Sequence, residues 1–224
     1  LFSAKLLEDP KLFEGDIVLL KNQRNSALGR AASRFRRWPR ARMIFTIDRS
    51  LSVHARARRA IRAGMRQWTR RTCVRFRRRR RERAYVRFVR GSGCSSFVGR
   101  TGRRQDINLH PNCWTTGIVA HEIGHALGFW HEQSRPDRNR FVTILWQNIQ
   151  RGMRHNFRRR TRRESTSFGV RYDYRSVMHY GPTAFSKNGR PTIRPRQRGA
   201  RIGQRRGISR LDGIQMFRMY CRRG

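Results

Sequence analysis

His121 to His131 reads HEIGHALGFWH. His121 and His125 are four residues apart, so on a helix they stand one turn above each other on the same face. Glu122 lies beside them. Gly128 lacks a Cβ and lets the chain turn sharply. That turn allows His131, six residues after His125, to return to the same point in space. Three converging imidazoles fit an open catalytic zinc site, with three protein ligands and a position left for water. Zinc lowers the pKa of water to roughly 7. Glu122 is placed to take a proton from that water and pass it to a leaving amine.

A second element lies downstream: Ser176-Val177-Met178-His179-Tyr180, or SVMHY. A Met-containing turn below three zinc ligands is the metzincin arrangement. HEIGHALGFWHEQSRPDR together with SVMHY closely resembles the astacin family of zinc endopeptidases. The resemblance covers about residues 25 to 221 and implies an α+β, zincin-like fold. Its expected parts are a twisted, mostly N-terminal sheet, a backing helix, an active-site helix, and an irregular C-terminal half ending in a helix, with the cleft between the halves. It further implies one catalytic Zn2+, Met178 as a hydrophobic floor, and Tyr180 as a phenol able to ligate the metal or donate to an oxyanion. His179 receives no metal role.

Residues 1–24 read as a separate leader and 25–224 as the catalytic domain. Phe13-Glu14-Gly15-Asp16-Ile17 resembles the family's prosegment motif, which makes Asp16 a further zinc ligand that holds the chain latent. Arg24-Asn25 is the expected maturation cut, with Arg30-Ala31 as a rival, and the activating protease is expected to be trypsin-like. In the family the freed N-terminus approaches the acid after the third His, here Glu132. Residues 1–10 show no signal-peptide pattern, so any signal peptide is expected to be absent from this chain.

The net charge is +41 over 224 residues, and Lys accounts for only four of the 54 basic residues. Such a surface should attract polyanions in a salt-dependent way. No stretch is long and apolar enough to span a bilayer. Cys73, Cys94, Cys113 and Cys221 contain no CxxC pair and permit three connectivities. The resemblance favours Cys73–Cys221 and Cys94–Cys113, hence an oxidising compartment and secretion. Protein or peptide substrates and a monomeric state are expected. Two other classes stand against this reading: a cationic polyanion-binding protein with an inert metal site, and a structural zinc protein. Every expected catalytic position is filled, which disfavours both.

Along the chain, Met43–Ile47 reads as a strand. Val53, Ala57, Ala60, Ile61, Gly64, Met65 and Trp68 fall at helical spacing behind a Ser50 or Ser52 cap. Residues 73–76 and 85–89 read as strands joined through Arg77–Arg81 as a hairpin loop. Ser95–Val98 and Asp106–Leu109 are further strands, the first expected to be the edge that grips a peptide. Ile144–Phe157 reads as a helix and Arg158–Arg163 as a surface loop. Asp137 is expected to pair with a nearby Arg. The loop at Ile202-Gly203-Gln204-Arg205 resembles a family loop beside the pocket for the residue after the scissile bond, so Arg205 or Arg206 would favour an acid there. Ser209 and Asp212 suggest a capping box for a last helix.

Overall fold

The computed structural model describes residues 7–19 and 37–221. Its upper half is a six-stranded sheet. The strands are β1 (Ile17–Val18), β2 (Arg42–Ile47), β3 (Arg75–Arg78), β4 (Tyr85–Val89), β5 (Cys94–Phe97) and β6 (Arg104–Leu109), in the order β1-β5-β6-β4-β2-β3. Only β5 and β6 pair antiparallel; the other neighbours are parallel. Along β4 and β6 the buried positions alternate (Val86, Phe88; Gln105, Ile107, Leu109), as a strand with one face on a core requires.

That face is covered by two helices, α2 (Ala55–Arg71) and α3 (Thr116–Leu127). Ala57, Ala60, Ile61, Gly64, Met65 and Trp68 form the buried stripe of α2, while its Arg-rich face is left to solvent. Val53 departs from the expected stripe and is 61% exposed. It ends a short helix, α1 (Arg49–Ser52), capped by the Asp48 carboxylate, which accepts from the Ser50 N–H at 3.0 Å; the N-cap of α2 is His54, with no side-chain cap bond, and neither Ser50 nor Ser52 caps it. The Nε1–H of Trp68 donates to the Ala120 carbonyl and that of Trp38 to the Ala126 carbonyl, tying α3 to the sheet half.

Two expectations fail on topology. β3 and β4 are not a hairpin, because β2 lies between them and runs parallel to both. Residues 144–157 are not one helix. They hold the end of β7 (Val142–Ile144), two short 3-10 turns (Trp146–Asn148, Arg154–Phe157) and irregular chain. β7 pairs antiparallel with β8 (Ile193–Pro195), and Ile144, Ile149 and Phe157 enter a second apolar cluster with Tyr172, Tyr180 and Phe185. The periodic spacing there serves a separate small core in the lower half.

The last helix, α4 (Arg210–Tyr220), begins at the expected capping box: Ser209 Oγ accepts from the Asp212 N–H, and Asp212 Oδ2 accepts from the Ser209 N–H. The disulfides are Cys73–Cys221, which fastens the end of this helix to the chain before β3, and Cys94–Cys113, which links β5 to the turn ahead of α3. Among the described residues no helix is long and apolar enough to cross a membrane.

Candidate active site

The site begins at the end of α3. Gly128 closes the helix at φ 117°, a region that penalises a side chain, and the Phe129 N–H reaches back to the Gly124 carbonyl at 2.9 Å. This reversal aims the Phe129 carbonyl at His125, whose Nδ1–H donates to it at 2.8 Å. His121 Nδ1–H donates to the Val177 carbonyl at 2.7 Å, and His131 Nδ1–H to Glu14 Oε2 at 2.7 Å. With every Nδ1 committed as a donor, each Nε2 presents a lone pair.

Those lone pairs converge. Nε2 of His121 and of His125 lie 3.1 Å apart, and Asp16 Oδ2 lies 2.9 Å from Nε2 of His121 and 3.2 Å from Nε2 of His131. Candidate ligand atoms of Asp16, His121, His125 and His131 all fall within 4.8 Å of one another, and all four residues are buried. Acceptors facing acceptors at such separations repel unless a cation stands among them. Asp16 Oδ1 is also buried, with no hydrogen-bond donor among the described residues. The donor set, three imidazoles and one carboxylate, suits zinc.

Where no cation stands among them, the same crowding of acceptors draws a proton instead. Burial opposes a charge on His131, but the carboxylates of Asp16 and Glu14 prevail and raise its pKa to about 9. On His121 burial wins and lowers the pKa to about 3. Burial also raises Glu122 well above the usual carboxylate range; Asp16 adds to this and Arg205 opposes it. Both Glu122 carboxylate oxygens are buried and have no hydrogen-bond partner among the described residues. A carboxylate so placed is a stronger base than a free one, which suits it to take a proton and return it.

The SVMHY turn is knitted to the ligand-bearing segments mainly through its backbone. The Met178 carbonyl accepts from the Glu132 N–H at 3.0 Å, the Tyr180 N–H donates to Gln133 Oε1 at 3.0 Å, and the Val177 carbonyl orients His121. Met178 is buried, and its sulfur lies 2.8 Å from where a Cβ on Gly124 would stand. The Tyr180 hydroxyl donates to the Glu14 carbonyl at 2.7 Å, so here the phenol is engaged by the N-terminal segment. His179 is buried; its Nδ1–H donates to the Tyr180 carbonyl, and the Tyr172 hydroxyl lies 2.7 Å from its Nε2.

Glu132 is buried, which excludes an ordinary surface acid. Burial raises its pKa to about 8, against the opposing Arg135 guanidinium. Its Oε1 accepts from Arg135 Nη1 at 2.9 Å and from the Asp173 N–H at 2.8 Å. Arg135 also grips Asp137 through both carboxylate oxygens, at 2.9 and 2.8 Å, which is the expected brace. Arg205 Nη1 donates to the His179 carbonyl at 2.9 Å. Arg24 and Asn25 lie outside the described residues, as does Arg30-Ala31.

Residues 7–19 occupy the cleft. β1 adds to the free side of β5 in parallel, pairing Ile17 with Ser96 and Val18 with Phe97, and the Ser96 N–H donates to the Asp16 carbonyl. The strand expected to grip an extended peptide therefore grips one from its own chain. Sequence reading passed over Glu14, Ser134, Asn156 and Arg160. Glu14 is fully buried, and Arg160 leaves its basic run to lie 3.6 Å above the Trp130 ring. Glu14 carried a signal, since it lies two residues from Asp16; nothing in a run of arginines singles out Arg160.

Residues 30–221 match the family model described as Astacin, a peptidase family. The chain is 41% identical over 189 residues to zinc metalloproteinase nas-15 of Caenorhabditis elegans, covering 84% of this chain and 33% of that protein. It is 40% identical over 223 residues to blastula protease 10 of Paracentrotus lividus, covering 89% and 37%. Thus the chain spans about a third of the length of these relatives. High choriolytic enzyme 1, a hatching enzyme zinc-protease from Oryzias latipes, superposes with a TM-score of 0.76 at 35% identity, covering 84% of this chain and 94% of that one. The helix-borne histidines, the Met178 turn and these likenesses agree: this chain belongs to the astacin family of zinc metalloproteinases.

Proposed function

We propose that the chain is a secreted zinc endopeptidase held latent by residues 1–24, with Asp16 as the plug, until a trypsin-like protease cuts near Arg24. The observation that carries this reading is the convergence of three Nε2 atoms on one buried point, with Glu122, whose carboxylate has no hydrogen-bond partner among the described residues, on the helix of His121 and His125. His121, His125 and His131 hold the metal, joined by Asp16 in the latent chain. Zinc, when bound, supplies a positive charge that acidifies water and polarises a carbonyl. Glu122 takes the proton from water and returns it to the departing amine. The Tyr180 hydroxyl, released from Glu14, donates to the oxygen on which charge develops. The backbone of β5, released from β1, holds the main chain of a protein or peptide substrate. Arg205 favours an acidic side chain after the scissile bond.

The two disulfides support an oxidising, extracellular setting. The excess of arginine supports accessory, salt-sensitive binding of polyanions, and the chain is read as a monomer. The test is cleavage of an unfolded protein, read by mass spectrometry of the fragments. The chain should be nearly inactive intact, active once cut near Arg24, and silenced by a chelator. Full activity of the intact chain would remove the latency argument, and activity that survives metal removal would remove the zinc one.

A further inference from the structure

Glu14 sits in a fitted receptacle. Its Oε2 accepts from His131 Nδ1 at 2.7 Å, and its Oε1 accepts from Ser134 Oγ at 3.0 Å and from Arg160 Nη2 at 3.3 Å. Its backbone is read too, since its N–H donates to Asn156 Oδ1 at 2.9 Å and its carbonyl accepts from the Tyr180 hydroxyl at 2.7 Å. The groups around it are held by their own neighbours. The Arg160 N–H donates to the Ser134 carbonyl at 2.7 Å, and its guanidinium lies on the Trp130 ring. Ser134 closes the 3-10 turn Glu132–Ser134, and Asn156 belongs to the turn Arg154–Phe157.

Every side chain that meets the carboxylate is a donor. Glutamine would turn its NH2 group either toward the Arg160 guanidinium, beside the Ser134 hydroxyl, or toward the His131 Nδ1–H, and neither of those two N–H groups can accept from it. Withdrawal of Glu14 would leave a guanidinium and an imidazole N–H without their acceptor in a low-dielectric cleft, which is costly unless another acceptor enters.

We propose that Arg160, Ser134, the Nδ1 edge of His131 and Asn156 form a subsite for an acidic residue, filled by Glu14 in this chain and open to a glutamate of a bound peptide once the N-terminal segment withdraws. The subsite is separate from Arg205 and lies two residues along the ligand from the group at the metal. It rests on the reading of this cleft as a peptide-binding site, and it makes Glu14 a second anchor of the N-terminal segment beside Asp16.

The test reads binding in the full chain. A chain carrying Glu14→Ala and Asp16→Ala is titrated by calorimetry with acetyl-Phe-Glu-Gly-Asp-Ile-amide and with the same peptide bearing glutamine for glutamate. The glutamate peptide should bind at least tenfold tighter, and Arg160→Met should collapse that preference to within about twofold. Equal affinities, or a preference unchanged by Arg160→Met, overturn the proposal. If neither peptide binds, the same coupling is read in the otherwise unaltered chain by hydrogen exchange at the Phe13 and Ile17 amides. There Glu14→Gln should speed exchange at least tenfold, and should add little once Arg160→Met is present; unchanged exchange overturns the proposal. Because no turnover is measured, a chain that holds the glutamate peptide yet cuts no protein would sink the peptidase reading and leave the subsite standing.

Discussion

Oδ2 of Asp16 stands 2.9 Å from Nε2 of His121 across 105 residues of chain. The pair joins a segment before the sheet to the helix beneath it. A tethered group acts at a local concentration near millimolar, so one carboxylate suffices to keep a cleft filled. Asp16→Ala should therefore raise the peptidase activity of the intact chain at least tenfold while zinc content stays at one per chain. Equal activities of the two chains would show that the carboxylate is not the plug.

Glu122→Gln keeps the size of the side chain and removes its basicity. Loss of a positioned general base costs about 10²- to 10⁴-fold in rate. The variant, cut near Arg24, should hold zinc as the parent does by elemental analysis and lose turnover on that scale. Wild-type turnover would assign the base elsewhere.

Metal removal tests the facing lone pairs. Ligands that bind only the folded state stabilise it by roughly 2.7 kcal/mol at a hundred times Kd. A chelator should lower the midpoint of thermal unfolding by several degrees, and zinc should restore it. An unchanged midpoint would mean that His121 and His125 tolerate their 3.1 Å separation without a cation.

Asp212 gives a pH signature of its own, one residue removed from the imidazoles: it accepts from the Val177 N–H, and the Val177 carbonyl accepts from His121. Burial raises its pKa to about 6, although Ser176 Oγ, the Val177 N–H and the Ser209 N–H donate to it. Below the ordinary carboxylate value both folded and unfolded chains hold the proton. Between about 4 and 6 only the folded chain holds it, so this contribution to stability falls as pH rises through that window and then levels. At about 1.36 kcal/mol per unit the loss is on the order of 3 kcal/mol. Asp212→Asn should remove this slope while leaving stability at pH 4 close to that of the parent, because its oxygen still accepts from the Val177 and Ser209 N–H groups and its NH2 turns to the Ser176 hydroxyl. Identical slopes in urea titrations of the two chains would refute it.

Local pattern carried the reading wherever one element suffices. The spacing of His121 and His125 needs only a helix, Gly128 needs only a turn, and Ser209 with Asp212 needs only a helix start. Burial alternates along β4 and β6 and recurs at helical spacing along α2 because each buries one face, whereas β2 buries Met43 and Ile44 in succession. Pattern misled at 144–157, where apolar residues at helical spacing feed a second core from turns, and at Arg77–Arg81, where neighbours in sequence are not neighbours in the sheet.

Sequence alone thus determined the three imidazoles, the acid beside them and the family, since short-range geometry follows from residue spacing. Tertiary structure alone decided what surrounds them. Glu14 meets His131 across 117 residues, Arg160 meets Glu14 across 146, and Asp212 supports the turn at Val177 across 35. Such pairings leave no period in the string, because burial and charge select the partners only after the chain has closed around them.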